Sequence, residues 1–197
     1  MATVKLPDQQ RTITQPADVR EFLAHHGIMF EPWGVERLGG QTVGLPNEEI
    51  LKAYEPEVKR LQTNGGYATA DIINVVPTTP NLDALLAKFS KEHRHSDDEV
   101  RFTVHGRGVF SIHDEKERLI FQIEVGPGDL INVPAYTAHW FDLCQERTIQ
   151  CIRLFKDPSG WSPIYTGATV ADNYPPVCFN PAGFTLTKSG GQIPFAV

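Results

Sequence analysis

The chain has 197 residues, 41% of them hydrophobic, which suffices for a sizeable core in one generous domain. Its formal charge of −6 is spread over interspersed acids and bases, so no basic stripe is available for a phosphate backbone and nucleic acid is not an expected partner. The amino terminus lacks the apolar centre of a secretory signal, and nowhere do about 18 apolar residues run together, so a cytoplasmic protein without membrane association is expected.

In PADVREFLAHHG (16–27), Pro16 suits a first helical turn, Val19, Phe22 and Leu23 recur at helical spacing, and Gly27 closes the segment. This predicts a short amphipathic helix. His25 and His26 fall at its end, where an imidazolium favours the helix dipole, and no chemistry is assigned to them. A second helical stretch spans 46–66, with Asn47 as N-cap, Ile50, Leu51, Tyr54, Val58 and Leu61 on one side, and Pro56 expected to kink or divide it. After a β-rich run at 70–76, PNLDALLAKFS (80–90) offers Asn81 as a cap and Leu82, Leu85, Leu86 and Phe89 at 3.6-residue spacing, a third helix that leads into KEHRHSDDE.

From residue 98 the period changes to two. DEVRFTVH, VFSIHD, LIFQIEV, LINVP, AHWFDL and TIQCIRLF are separated by turn signals, which predicts about six antiparallel strands in a barrel or sandwich. Residues 157–197, rich in proline, glycine and aromatics, lack periodicity and are expected to wrap the surface as ordered loop, with a mobile final dozen. The expected organisation is a single domain over 1–197: a mixed helical part at 1–90, a barrel core at about 70–156, and the wrapping loop. Cys144, Cys151 and Cys178 make an odd count without C-x-x-C spacing, and are expected to be small buried hydrophobes rather than a disulfide framework.

His93 and His95 are two apart, so on an extended chain both leave the same face, and Glu99 keeps that parity unless the intervening SDD bends. A solvated turn could carry one histidine by chance. Two neutral imidazoles and a carboxylate converging in a barrel would instead leave lone pairs that call for a cation between them. His139, in PAYTAHWF, is taken alone only a half-exposed histidine before an aromatic pair. The spacing His93-x-His95-x3-Glu99-x6-Gly106, then Gly128-x5-Pro134-x4-His139, closely resembles the two-part signature of the cupin superfamily. That resemblance implies a mainly β fold, the double-stranded β-helix or jelly-roll barrel, with a few short helices, mostly N-terminal. Gly106 and Gly108 would permit the turn after the Glu99 strand, and Pro134 would fix the loop that hands His139 to the other donors. Three imidazoles and one carboxylate suit iron, nickel, manganese, copper or zinc. An octahedral ion would keep two adjacent positions open for a chelating substrate.

Two positions depart from the superfamily pattern: Tyr136 stands where glycine is usual and Leu143 where asparagine is. Because tyrosine enters positive φ less readily, a different backbone conformation is expected in the turn before His139.

Arg101 shares the parity of Glu99, and Arg153 interrupts an otherwise apolar strand. Either alone reads as an exposed strand arginine, but together beside a metal pocket they would suit an anionic substrate. Phe89 and Phe141 are candidate pocket walls, with core packing as the alternative. His105 and His113 fall outside the ligand spacing and are expected to be exposed or structural.

FSKEHRHSDDEVRFTVHGRGVFSIHD, GDLINVPAYTAHWFD and IRLFKDPSGW together resemble the bacterial branch of the acireductone dioxygenase family, over about residues 1–175. The resemblance implies a monomeric methionine-salvage enzyme holding one Fe(II) or Ni(II) through His93, His95, Glu99 and His139. Its substrate would be 1,2-dihydroxy-3-keto-5-methylthiopentene, which reacts with O2. With iron the products would be formate and 4-methylthio-2-oxobutanoate; with nickel, methylthiopropionate, formate and carbon monoxide. Arg101 and Arg153 would then steady substrate charge, while Phe89 and Phe141 would shape the pocket. A cupin isomerase or epimerase using a Lewis-acid metal, and a nonenzymatic metal-binding cupin, are the alternatives that the donor set leaves open.

Overall fold

The computed structural model describes residues 1–39, 44–157, 162–179, 184–186 and 192–194. The helices fall where the periodicity places them, with shorter bounds. α1 (Pro16–His25) has Pro16 in its first turn and buries Val19 and Leu23. The second stretch divides at Tyr54 into α2 (Asn47–Ala53) and α3 (Glu55–Gly65), because Pro56, lacking an N–H, is tolerated only at a helix start. α4 is Leu82–Ala87. Neither Asn47 nor Asn81 makes the expected side-chain cap: Asn47 lies inside α2 behind Pro46, and Asn81 precedes α4 in a left-handed conformation.

The strands are β1 (Thr3–Leu6), β2 (Arg11–Ile13), β3 (Met29–Pro32), β4 (Thr69–Val75), β5 (His93–Arg94), β6 (Glu99–Gly106), β7 (Gly108–Asp114) and β8 (Leu119–Val125). They continue with β9 (Asp129–Val133), β10 (Ala138–Leu143), β11 (Ile149–Phe155), β12 (Ile164–Tyr165), β13 (Cys178–Phe179), β14 (Phe184–Leu186) and β15 (Gln192–Pro194). All the expected strands of the barrel region form. β1, β2 and β3 have no counterpart among the expected elements; each is only three or four residues long, too short for alternation to register.

Two antiparallel sheets carry the architecture, one ordered β12-β5-β10-β7-β8-β1-β2 and the other β3-β9-β6-β11-β4. Alternation sorts their side chains. Phe110, Ile112, Phe121 and Ile123 of the first sheet pack with Phe30, Ile131 and Val133 of the second and with α1 residues Val19 and Leu23. On the opposite face of the second sheet, Val100, Phe102, Val104, Ile152 and Leu154 pack against Ile50, Tyr54, Val58 and Leu61 of α2 and α3. The other parity of β6 and β11, which carries Glu99, Arg101, Cys151 and Arg153, is thereby left for the interior.

The C-terminal expectation needs correction. Within the described residues the segment after 157 contains four short strands, and β13, β14 and β15 pair with one another in a third sheet. The final dozen residues lie partly outside the described ones. The cysteine expectation is also overturned: Cys144 and Cys178 form a disulfide, while Cys151 is buried and free as expected. Thirty-four residues separate the bonded pair, and only the return of the tail over Val109, beside which both cysteines are buried, brings them together. No helix among the described residues is long and apolar enough to cross a membrane.

Candidate metal centre

The donors are assembled by strand pairing. β5 is held between β10 and β12, with His93 opposite His139 on one side and Tyr165 on the other. His95 follows two residues later, and Glu99 opens β6, which pairs with β9 and β11. The ring centroids of His93 lie 4.6 Å from His139 and 4.9 Å from His95, and the third pair is 5.3 Å apart. One donor nitrogen from each histidine falls within 4.8 Å of the others, and all three side chains are buried. Glu99 Oε2 completes the cluster, 2.7 Å from His139 Nε2 and 3.6 Å from His95 Nε2.

Backbone carbonyls orient the rings. Nδ1 of His93 donates to the Lys91 carbonyl at 2.7 Å, that of His139 to Thr137 at 2.8 Å, and that of His95 to Ser162 at a longer 3.4 Å. With Nδ1 occupied, the Nε2 lone pairs face the common centre, which is how metal-ligating imidazoles are prepared. Burial, followed by the neighbouring His139, pushes the His93 imidazole down to about 4, and burial lowers His95 as well. Burial alone would raise the Glu99 carboxyl, but the Arg101 guanidinium, with His139 and His95, holds it well below the carboxylate range. Two imidazoles favoured as neutral and a carboxylate favoured as charged are the protonation states that a divalent ion needs. The residues therefore fit a mononuclear three-nitrogen, one-oxygen ion site.

Arg101 is buried, with Nη2 placed 2.8 Å from Glu99 Oε1, so it grips the carboxylate oxygen turned away from the imidazoles. Its cross-strand partner in β11 is Arg153, which forks onto Asp71 of β4 through Nε at 2.7 Å and Nη2 at 2.6 Å. Both arginines line one cavity with Phe89, Phe141, His93 and Glu99. Most of its remaining wall is aliphatic, formed by Ile73, Val75, Leu85, Leu86, Leu143 and Ile149, and Phe110 and Cys151 complete it. Phe141 both lines this cavity and packs on Phe110 with centroids 4.7 Å apart, so the wall and core readings hold together. The site residues named from the sequence thus converge on one end of the barrel.

Tyr136 corrects an expectation. Its φ is +63°, so the turn keeps a left-handed conformation although tyrosine replaces glycine. Its backbone N–H donates to the His95 carbonyl at 2.8 Å, and its exposed side chain needs no room inside. The glycines also divide their tasks differently than expected. Gly106 turns the chain at φ +76°, where a Cβ would strike the Thr148 carbonyl, whereas a Cβ on Gly108 would overlap the Phe141 ring. Gly108 therefore makes room for a cavity wall.

Asp97 and Asp98, which read only as an acidic run, tie the centre to its surroundings. Asp98 accepts from Ala135 N–H at 3.0 Å, Tyr67 OH at 3.0 Å and Lys156 Nζ at 2.8 Å, and Asp97 accepts from the Lys156 N–H at 2.7 Å. Glu92 joins His113 Nδ1 at 2.6 Å to Thr166 Oγ1 at 2.5 Å, which gives His113 a structural place and fastens the segment after β12 beside β5. No spacing rule marks these residues, since each partner comes from a distant segment.

A cupin-type barrel that gathers three buried histidines and a carboxylate around one centre defines a metal-binding cupin. The family model of the ARD/ARD' family matches residues 5–163, and the chain belongs to that family. It is 43% identical to an acireductone dioxygenase of Sulfurihydrogenibium sp. over 171 residues, covering 84% of this chain and 94% of that one. It is 42% identical to the Exiguobacterium sibiricum protein of the same name, covering 84% and 95%. Among solved structures, the acireductone dioxygenase from Bacillus anthracis, with a cadmium ion in its active centre, superposes with a TM-score of 0.80 at 37% identity. That match covers 84% of this chain and 98% of the other.

Proposed function

We propose that the chain is an acireductone dioxygenase of methionine salvage, cleaving 1,2-dihydroxy-3-keto-5-methylthiopentene with O2. One observation carries this reading: the donor cluster stands at the end of an apolar cavity whose only positive side chains are Arg101 and Arg153, among the residues lining it. An enediol that ionises at one end and carries a thioether tail at the other matches that polarity.

His93, His95 and His139 through Nε2, with Glu99, would hold one Fe(II) or Ni(II). Such an ion would supply vacant positions for the enediol oxygens and a redox-active centre for reaction with O2. The chain's own side chains do the rest. Arg101 steadies the ligand face of Glu99 by holding Oε1, and its charge, with that of Arg153, favours the ionised over the neutral enediol. Phe89 and Phe141 line the cavity with the His93 imidazole and, with the aliphatic wall, exclude water from the reacting end while seating the tail. With iron the expected products are formate and 4-methylthio-2-oxobutanoate; with nickel, methylthiopropionate, formate and carbon monoxide. The enzyme is read as a monomer.

Oxygen uptake tests the proposal. Iron-loaded protein should consume O2 in proportion to added acireductone and release formate, and protein with stoichiometric iron that consumes none would overturn it. His95→Ala should lose most bound metal and all turnover. A Lewis-acid isomerase would act on its substrate without O2, which the same measurement separates.

A further inference from the structure

We propose that His25, His26, Asp114 and Glu117 form a second cation site, where the end of α1 meets the β7–β8 turn, and that it takes a borderline divalent ion such as zinc. None of these residues belongs to the barrel centre. His25 Nε2 lies 2.8 Å from Glu117 Oε1, and His26 Nδ1 lies 2.8 Å from Asp114 Oδ2 and 3.9 Å from Glu117 Oε2. One donor atom from each of His25, His26 and Glu117 falls within 4.8 Å of the others. Donors on a tetrahedral zinc, with bonds of about 2.0–2.1 Å, stand roughly 3.3–3.4 Å apart; the contacts of 2.8–3.9 Å bracket that spacing, while Asp114, outside the 4.8 Å group, would have to draw in along with His26 to complete the set.

Two donors are held in advance. The His26 side chain is 2% exposed and is packed by Phe22 and Phe121, with centroids 4.5 Å and 4.8 Å away, so its ring cannot swing out. Asp114 Oδ1 accepts the N–H groups of Lys116 and Glu117, at 3.0 Å and 3.1 Å, which aims Oδ2 at His26. Glu117 reaches between both rings, from 92 residues further along the chain than His25. With neutral imidazoles the cluster carries two negative charges, which one divalent ion balances. Two nitrogens and two oxygens suit zinc, nickel or copper(II), whereas magnesium and calcium prefer an all-oxygen set. The ion would clasp the helix end to the hairpin. The competing account is a pair of ordinary imidazole–carboxylate hydrogen bonds.

Counting bound zinc decides between them. Full-length protein, stripped with chelator and dialysed against Zn2+ alone, should hold two equivalents. The His25→Ala/Glu117→Gln variant changes two solvent-exposed side chains and should keep its apo melting temperature while holding one, with the second equivalent weakened at least about tenfold. The His93→Ala/His139→Ala variant should also retain one equivalent, and zinc should still raise its melting temperature. A wild-type protein that saturates at one equivalent, or a His25→Ala/Glu117→Gln variant that still holds two, overturns the site. If the barrel variant does not fold, the comparison of wild type with His25→Ala/Glu117→Gln is sufficient.

Discussion

Tyr136 occupies a conformation that costs an L-residue roughly 1–2 kcal/mol, yet its N–H bond to His95 and the path to His139 require it. Glycine would lose more chain entropy on folding but would carry no such strain. Tyr136→Gly should therefore leave the melting temperature unchanged or raise it slightly, as thermal unfolding would show; a clear fall would mean that the ring contributes packing despite its exposure. Arg101 presents the opposite case, a buried cation paired with the Glu99 carboxylate and donating through Nη1 to the Val100 carbonyl at 3.0 Å. Removing it in Arg101→Met leaves Glu99 ionised in the interior without the cation that pairs with it. Metal affinity is expected to fall by about 10–100-fold, together with activity, as for outer-sphere partners of metal ligands. Retention of full metal affinity, measured by dialysis, would restrict Arg101 to the substrate.

β5 has only two residues, and its place between β10 and β12 depends on what flanks it. Asp98 is the main fastening on the β6 side, since the Ala135 N–H that it accepts belongs to the turn between β9 and β10. Asp98→Asn keeps the shape but loses the charge on bonds to Lys156 and Ala135, and should cost about 1–3 kcal/mol in denaturant unfolding. The carboxyl also has a pH signature. Burial would raise it, but Lys156, the Ala135 N–H and Tyr67 outweigh burial and lower it. A group depressed in the folded state stabilises above its unfolded value, near 3.9, and loses that contribution as pH falls through the folded one. The wild-type advantage over Asp98→Asn should accordingly be full near neutrality and shrink below about pH 4; an advantage constant down to the acid limit would argue against the charge.

The C-terminal segment crosses from the metal centre to the outer face of the first sheet. Ser162 supplies a carbonyl to His95, β12 pairs with β5, and Gln122 Nε2 then donates to the carbonyls of Tyr174 and Pro175. Lys5 reaches the Val177 carbonyl, and the Cys144–Cys178 disulfide closes the circuit behind β10. The family match ends at residue 163, so the cross-linked tail lies beyond it. The face beneath combines Lys5, Ser111, Gln122 and Glu124 with two buried apolar residues, Val109 and Trp140, the latter packed against Tyr174 of the tail. The covalent link, whose loop of 34 residues is worth about 2–4 kcal/mol, adds to these contacts. Cys144→Ser, or dithiothreitol, should lower the melting temperature and open the segment after residue 166 to protease while the barrel remains folded. Equal protease resistance with and without the bond would show that noncovalent contacts suffice.

Alternation over β6 to β11, helical spacing in α1, α3 and α4, and the two-part histidine pattern are all legible in the amino-acid order alone, because each is a local repeat whose period is set by backbone geometry. The four donors can be named on that basis, as can both arginines. The pairing of Arg101 with Glu99, the place of Asp97 and Asp98, the left-handed Tyr136 and the Cys144–Cys178 bond cannot. Each depends on which distant segments the folded chain sets side by side, and a linear pattern carries no distances between segments. The same reason separates the two histidine pairs. His93 and His95 announce themselves by spacing, whereas His25 and His26 acquire carboxylate neighbours only when α1 packs against the β7–β8 turn.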